Sequence, residues 1–239
     1  MPLRRRRDIY PGRDVLEIPA YSLPEAAHYL RIPVATLRSW VIGRSYPTER
    51  GKKWARALIS MADHEGRLLS FVNIVELHVL DAIRREHGVH LSRVRQALDY
   101  LQRRFPSKHP FADQMMETDG RDLFIERYGA LINVSREGQI GMRKLLDAHL
   151  KRIDRDAKGV PIRLYLFTRK RDADEPKAVV IDPRVAFGRP VLAHSGIPTA
   201  VVAERYKAGE SIQELAEDYG REPSEIEEAI RCELEVEAA

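Results

Sequence analysis

The 239-residue chain contains one cysteine, Cys232. A single thiol excludes a disulfide framework and any cysteine-rich zinc site. No apolar run reaches the roughly 18–20 residues that a membrane helix requires. The opening Met1-Pro2-Leu3-Arg4-Arg5-Arg6-Arg7 is followed by charge and not by an apolar stretch, so no secretory signal is expected. A phosphate-cradling loop is also missing, because Gly51-Lys52-Lys53 lacks the upstream glycine and the Ser/Thr of a P-loop. The eight histidines are scattered, and His78, His87 and His90 straddle a helix break at Gly88 without metal-ligand spacing. His194-Ser195-Gly196 lacks a Gly-x-Ser-x-Gly elbow and an evident base, so turn chemistry accounts for it. The expectation is a soluble, cytoplasmic, non-enzymatic protein with no membrane span, no metal and no cofactor.

Charge is plentiful and unevenly placed. Lys+Arg number 40 and Asp+Glu 36, a net charge of only +4. Residues 1–110 hold 20 basic and 11 acidic side chains, whereas residues 204–239 hold 4 basic and 12 acidic. A basic front favours a polyanion and an acidic rear favours something else, so two different partners are implied. Hydrophobic residues make up 44% of the chain, enough to bury a core.

Ser22-Leu23-Pro24-Glu25 has capping-box spacing and opens a helix carrying Ala26, Ala27, Tyr29 and Leu30. That helix stops before Pro33, and a second runs from about Val34 to Val41 with Leu37, Trp40 and Val41 on one face. Two short helices on a tight turn make a helix-turn-helix. Residues 43–69 are basic and rich in breakers, and read as a hairpin wing longer than a compact one. Ser70 caps a long helix to about His87, apolar around much of its circumference. Leu91, Val94, Leu98, Leu101 and Phe105 mark an amphipathic helix behind it. A short strand is expected near Val15–Ile18 and a hairpin around Asp119-Gly120, joining Met115–Thr118 to Asp122–Arg127, with Ala130–Val134 as a third strand. A helix is expected over 138–154, an alternating strand over Ile162–Phe167, and a charged linker over Arg169–Glu175. Val179-Val180-Ile181 and a Pro/Gly-rich turn from Asp182 to Pro198 follow. Three short helices then lie near 199–208, 212–219 and 225–236, the last two opened by Ser211-x-x-Glu214 and Ser224-x-x-Glu227.

Tyr21-Ser22-Leu23-Pro24-Glu25-Ala26-Ala27-His28-Tyr29-Leu30, with Pro33, Thr36-Leu37-Arg38-Ser39-Trp40 and Leu69-Ser70-Phe71, resembles the helix-turn-helix of MerR-type regulators and phage excisionases. Ile181-Asp182-Pro183-Arg184-Val185-Ala186-Phe187-Gly188-Arg189-Pro190-Val191-Leu192 is similar to the domain-of-unknown-function family 433. The similarity continues through Gly196-Ile197-Pro198-Thr199, Ala208-Gly209-Glu210-Ser211 and Leu215-Ala216-x-x-Tyr219. That family recurs in VapB-like antitoxins paired with PIN-type ribonuclease toxins, and the middle segment resembles the connector of such antitoxins.

The expected fold is mainly α with a small β component: an N-terminal winged helix-turn-helix, a middle α/β segment and a C-terminal three-helix module. The divisions are 1–20 (basic arm), 21–110 (DNA-binding domain), 111–172 (connecting segment) and 173–239 (antitoxin-type domain). Ala35, Thr36, Arg38 and Ser39 face away from the buried side of the second helix and suit a major groove, with Arg44, Lys52 and Lys53 on phosphates. The resemblance implies an antitoxin that represses its own operon and neutralises a PIN-type ribonuclease. An arginine of the rear domain would then meet the toxin's carboxylates, with Arg189, Arg231 and Arg205 as the candidates. The alternative is a MerR-like regulator whose rear module senses a different partner or ligand. The apolar surface of residues 73–105 suggests a homodimer on an inverted repeat.

Overall fold

The computed structural model describes residue 12 and residues 14–48, 51–85, 91–117, 119–132, 136–169 and 174–234. Most of the expected basic arm therefore lies outside the described residues. Strand β1 (Tyr21–Ser22) leads into α1 (Leu23–Leu30), where Ser22 and Glu25 form the reciprocal capping box that the spacing predicts. Helix α2 (Val34–Val41) follows Pro33, then the antiparallel hairpin β2 (Arg44–Thr48) and β3 (Gly51–Ala55), the wing. Strand β4 (Leu68–Leu69) returns to pair with β1, which ties the entry of α1 to the entry of α3 (Phe71–Arg85). Ser70 Oγ accepts from the Asn73 amide at 3.3 Å while Asn73 Oδ1 accepts from the Ser70 amide at 3.2 Å, a cap in both directions.

Helix α3 is the axis of the molecule. Ile74, Val75, Leu77, Val79, Leu80 and Ile83 are all fully buried, which explains why its sequence is apolar on several sides. Helix α4 (Leu91–Arg104) packs on α5 (Asp119–Ile132), and α6 (Arg136–Leu150) packs on α3. The stripe Val94, Leu98, Leu101 that suggested a subunit interface is thus covered within the chain. Behind these helices lies an antiparallel sheet of β5 (Ile153–Arg155), β6 (Pro161–Tyr165), β7 (Val179–Ile181) and β8 (Val191–Leu192), in that order. Helices α7 (Thr199–Lys207), α8 (Ile212–Tyr219) and α9 (Pro223–Glu233) close the chain around Leu192, Val202, Leu215, Ile226 and Ile230. The fold is mainly α with a small β component, as expected.

Several local expectations are corrected. Residues Val15–Ile18 form a turn and bend, not a strand. No hairpin forms at Asp119-Gly120: Gln114–Glu117 is a 3-10 turn, Asp119-Gly120 opens α5, and Ala130 is helical, while Thr118 and 133–135 lie outside the described residues. Phe124 and Ile125 are buried together there, with Phe124 edge-on to Phe111 at 6.3 Å, so a face that only a helix provides wins over the turn signal of Asp-Gly. The helix over 138–154 ends at Leu150 because Ile153–Arg155 enters the sheet. The α9 cap is Glu222 with Glu225, two residues earlier than Ser224 with Glu227, because Pro223 takes the first turn.

The expected linker at Arg169–Glu175 is instead held down by its described residues. Arg152, buried, donates to the carbonyls of Tyr165 at 2.9 Å, Leu166 at 2.7 Å, Glu175 at 3.0 Å and Pro176 at 2.9 Å. Glu175 in turn accepts from the amides of Thr168 and Arg169, both at 3.0 Å. Strands from both sides of residue 172 share one sheet, so the connecting segment and the rear module are joined by backbone hydrogen bonds.

Candidate nucleic-acid interface

The helix-turn-helix is fixed from behind. Leu37 and Trp40 are buried, Arg84 of α3 lies over the Trp40 ring at 5.4 Å, and the Trp40 carbonyl accepts from the Leu58 and Ile59 amides where the wing returns. Gly43, with φ +97, lets the chain turn from α2 into the wing; a Cβ there would sit 2.3 Å from the Ala55 carbonyl oxygen. The outer face of α2 is left to solvent. Ala35, Thr36, Arg38, Ser39, Gly43, Arg44 and Arg84 line one groove of about 420 Å³. Ser39 Oγ donates back to the Thr36 carbonyl at 2.7 Å, leaving its lone pairs outward.

The wing extends this surface. In its register Tyr46 lies opposite Lys53 and Arg44 opposite Ala55, so Arg44, Tyr46 and Lys53 share one face of the hairpin. Lys52, opposite Pro47, is on the other face with Trp54. The structure therefore brings Ala35, Thr36, Arg38, Ser39 and Arg44 together, sets Lys53 beside them, and turns Lys52 away. A second groove of about 290 Å³ adds Arg44, Tyr46, Trp54, Arg56 and Arg95, with Trp54 59% exposed. Arg84, Arg95 and the two aromatics escaped the sequence reading, whereas Arg56 belongs to the basic 43–69 segment it read as the wing. Only the register and the return of α3 and α4 to the wing place them there. Among the described residues, Arg38, Arg44, Lys52 and Lys53 enter no ion pair, which leaves their charge available to a polyanion.

The rear arginines are in a different state. Arg189 pairs with Glu25 of α1 and reaches the Tyr29 hydroxyl at 3.4 Å. Burial alone would raise Glu25, but Arg189 and Ser22 hold its carboxyl below the usual range. Arg205 pairs with Glu210 and, at 2.7 Å, with Asp218, and lies over Tyr219 at 5.0 Å. Arg231 meets Glu227 at 3.3 Å and Glu228 at 3.2 Å. Arg189, Arg205 and Arg231 are not brought to one place; each serves its own corner. Cys232 is a buried thiol pushed up to about 12, chiefly by burial and then by Glu233, and is chemically quiet.

Helix α1 is bolted to the rear module at both ends. The Tyr21 hydroxyl donates to the Gly188 carbonyl at 2.9 Å and Arg189 meets Glu25 near its start. At its end Arg31 donates to the carbonyls of Arg231 at 2.8 Å and Arg169 at 3.3 Å. A Cβ on Gly188, whose φ is +77, would stand 2.3 Å from the Tyr21 Oη.

This chain is 34% identical, over 90% of its length and 93% of the other's, to the Mycobacterium tuberculosis (strain ATCC 25618 / H37Rv) protein named "Putative antitoxin VapB45". The chain belongs to the VapB45 family. Residues 19–98, which carry α1, α2, the wing and α3, match the family described as "Putative DNA-binding HTH domain". Residues 179–231, the rear module, match "Protein of unknown function (DUF433)". The same organism's "Uncharacterized protein Rv2308" is 26% identical over 90% of each chain. The crystal structure of Rv2018 from Mycobacterium tuberculosis matches at a TM-score of 0.65 and 28% identity, covering 90% of this chain and 98% of that one. The likeness to VapB45 and its kin runs through front, middle and rear. Among the described residues, no helix is long and apolar enough to cross a membrane.

Proposed function

We propose that this VapB45-family chain is a cytoplasmic antitoxin that represses its own operon with its front and neutralises a PIN-type ribonuclease with its rear. The observation that carries the DNA half is the groove where α2 and the wing present Arg38 and Arg44 without carboxylate partners. Ala35, Thr36, Arg38 and Ser39 enter the major groove in MerR-like fashion, while Arg44 and Lys53, on the wing face beside them, neutralise phosphates and Lys52, on the other face of the wing, adds only to the general positive charge. Two copies on an inverted repeat would place two α2 helices one helical turn apart, on operator symmetry alone. The name of the VapB45 relative supports the toxin half. Arg189 is the first arginine for the toxin's carboxylates, exchanging Glu25 of its own chain for them, with Arg231 and Arg205 behind it.

A regulator whose rear takes a different partner is the second reading. It is favoured by one observation: Arg205 and Arg231 are each already held by two carboxylates of their own chain. Promoter binding by fluorescence anisotropy tests the DNA half. Log affinity falls with log salt at about −0.9 per phosphate contact. Arg38→Ala relaxes discrimination between promoter and scrambled duplex, and Lys53→Ala weakens both alike and flattens the slope by about 0.9. Unchanged binding by an Arg38→Ala/Arg44→Ala double variant would overturn the assignment.

A further inference from the structure

One side chain of the rear module is exposed where it should not be. Phe187 is 73% exposed, the most of any large hydrophobic residue among those described. It sits in the left-handed region, φ 55 and ψ 32, between Ala186 at φ 46 and Gly188 at φ +77. A non-glycine residue there is strained, and two in succession are rare. The strain is imposed from below. Asp182, itself 6% exposed, accepts from the Arg184 amide at 2.9 Å and from Arg163 at 3.0 Å, and its carbonyl accepts from the Val185 amide at 2.9 Å. The Tyr21 hydroxyl pins the Gly188 carbonyl, and the Gly188 and Arg189 amides close back onto Val185 and Ala186.

The ring has no room to fold back. The apolar pocket beside it, lined by Val15, Ile18, Tyr21, Phe71 and Pro183, has only about 20 Å³ open, room for about one water and not for a phenyl ring. Arg184 and Arg189 stand exposed on either side. A rigidly held aromatic between two cations is the form of an interface anchor, because it brings contact area at little entropic cost.

We infer that Phe187 anchors the partner protein, inserting into an apolar pocket whose rim carries carboxylates that meet Arg184 and Arg189. This rests on the reading of the chain as a ribonuclease-neutralising antitoxin. Arg189 then supplies the charge and Phe187 the buried contact.

The test uses the full chain and a purified PIN-type ribonuclease whose cleavage of RNA the wild-type chain inhibits. Phe187→Ala weakens inhibition by about 30-fold or more, and Phe187→Leu retains most of it. Phe187→Gly loses affinity to the same extent while its melting temperature stays level or rises, because glycine relieves the left-handed strain. Tyr206→Ala, an exposed aromatic of α7, leaves inhibition unchanged. Inhibition by Phe187→Ala and Phe187→Gly within three-fold of wild type overturns the anchor. If the wild-type chain inhibits no PIN-type ribonuclease, the antitoxin reading falls and the anchor with it.

Discussion

Arg152→Met is the perturbation whose cost the structure sets most directly. The guanidinium donates to four carbonyls and lies 4.3 Å from the Phe167 ring centroid. Burial pulls its pKa below the ordinary arginine value, against the opposing charges of Glu175 and Glu228, yet the group stays ionised at any physiological pH. Methionine keeps the stem's volume and removes every donor. Three of the four acceptors, the carbonyls of Tyr165, Leu166 and Glu175, make these bonds in buried surroundings. A buried group left unsatisfied costs about 1–3 kcal/mol; a carbonyl keeps a second lone pair for other bonds, so about 1–2 kcal/mol for each of the three gives an expected loss of about 3–6 kcal/mol. For a chain of this length that is a fall of about 10–20 °C in Tm, at roughly 2–4 °C per kcal/mol. Thermal melting followed by circular dichroism measures it. Hydrogen exchange adds a local readout, since the Leu166 amide, bonded to the Val179 carbonyl at 2.9 Å, loses protection before the α3 amides do. A Tm within 3 °C of wild type would refute the view that this arginine staples the 174–176 segment to the sheet.

Three further outcomes are expected. Gly188→Ala destabilises the fold by about 2–4 kcal/mol, because its Cβ meets Tyr21 Oη and its φ is left-handed; Tyr21→Phe in the same chain recovers part of that, and simple additivity in urea melts would count against the contact. Two histidines act on stability with opposite sign on either side of about pH 6.5. Burial would lower His109, but hydrogen bonds and charge from Glu76 at 2.9 Å and Glu17 at 3.0 Å outweigh it, so its pKa is raised. Its contribution is fully present below about 6.5 and is lost as pH rises through the folded value. His78, buried and beside His149, has its pKa lowered well below 6.5, so its contribution is present above 6.5 and lost as pH falls. His109→Gln flattens the alkaline limb of Tm against pH and leaves the acid limb in place; an unaltered alkaline limb contradicts the double ion pair. Trp54→Ala and Arg95→Ala each weaken promoter binding several-fold, read by anisotropy, and no change for either would confine the DNA contact to the α2 groove.

The front of the molecule was legible because its signals are local. Ser22 with Glu25, Pro33 and Ser211 with Glu214 each place a helix boundary by satisfying or removing an amide, and all three hold. The middle was misread because Asp119-Gly120 is a turn signal only when strands flank it. The burial of Phe124 against Phe111, which lies outside that helix, belongs to tertiary packing that no local period carries. Arg152 was invisible for the same reason: one arginine holding four carbonyls has no sequence period. The charged stretch after Thr168 read as a linker because charge usually marks solvent, and here Glu175 turns inward to two amides. At the candidate interface, Thr36, Arg38 and Ser39 followed from helical periodicity, whereas Arg84, Arg95 and Trp54 needed the return of α3 and α4 to the wing. Phe187 stood inside the most recognisable motif of the chain, and nothing in its letters says that its ring points out.

In the proposed function this chain silences a ribonuclease. Cleavage of a fluorogenic RNA by a purified PIN-type ribonuclease, titrated with the intact chain, tests it most directly. Activity is expected to fall to baseline at a fixed molar ratio of chain to enzyme, with Arg189→Ala shifting the endpoint to higher concentration. Full activity at a ten-fold excess of a chain that still binds its promoter would contradict it.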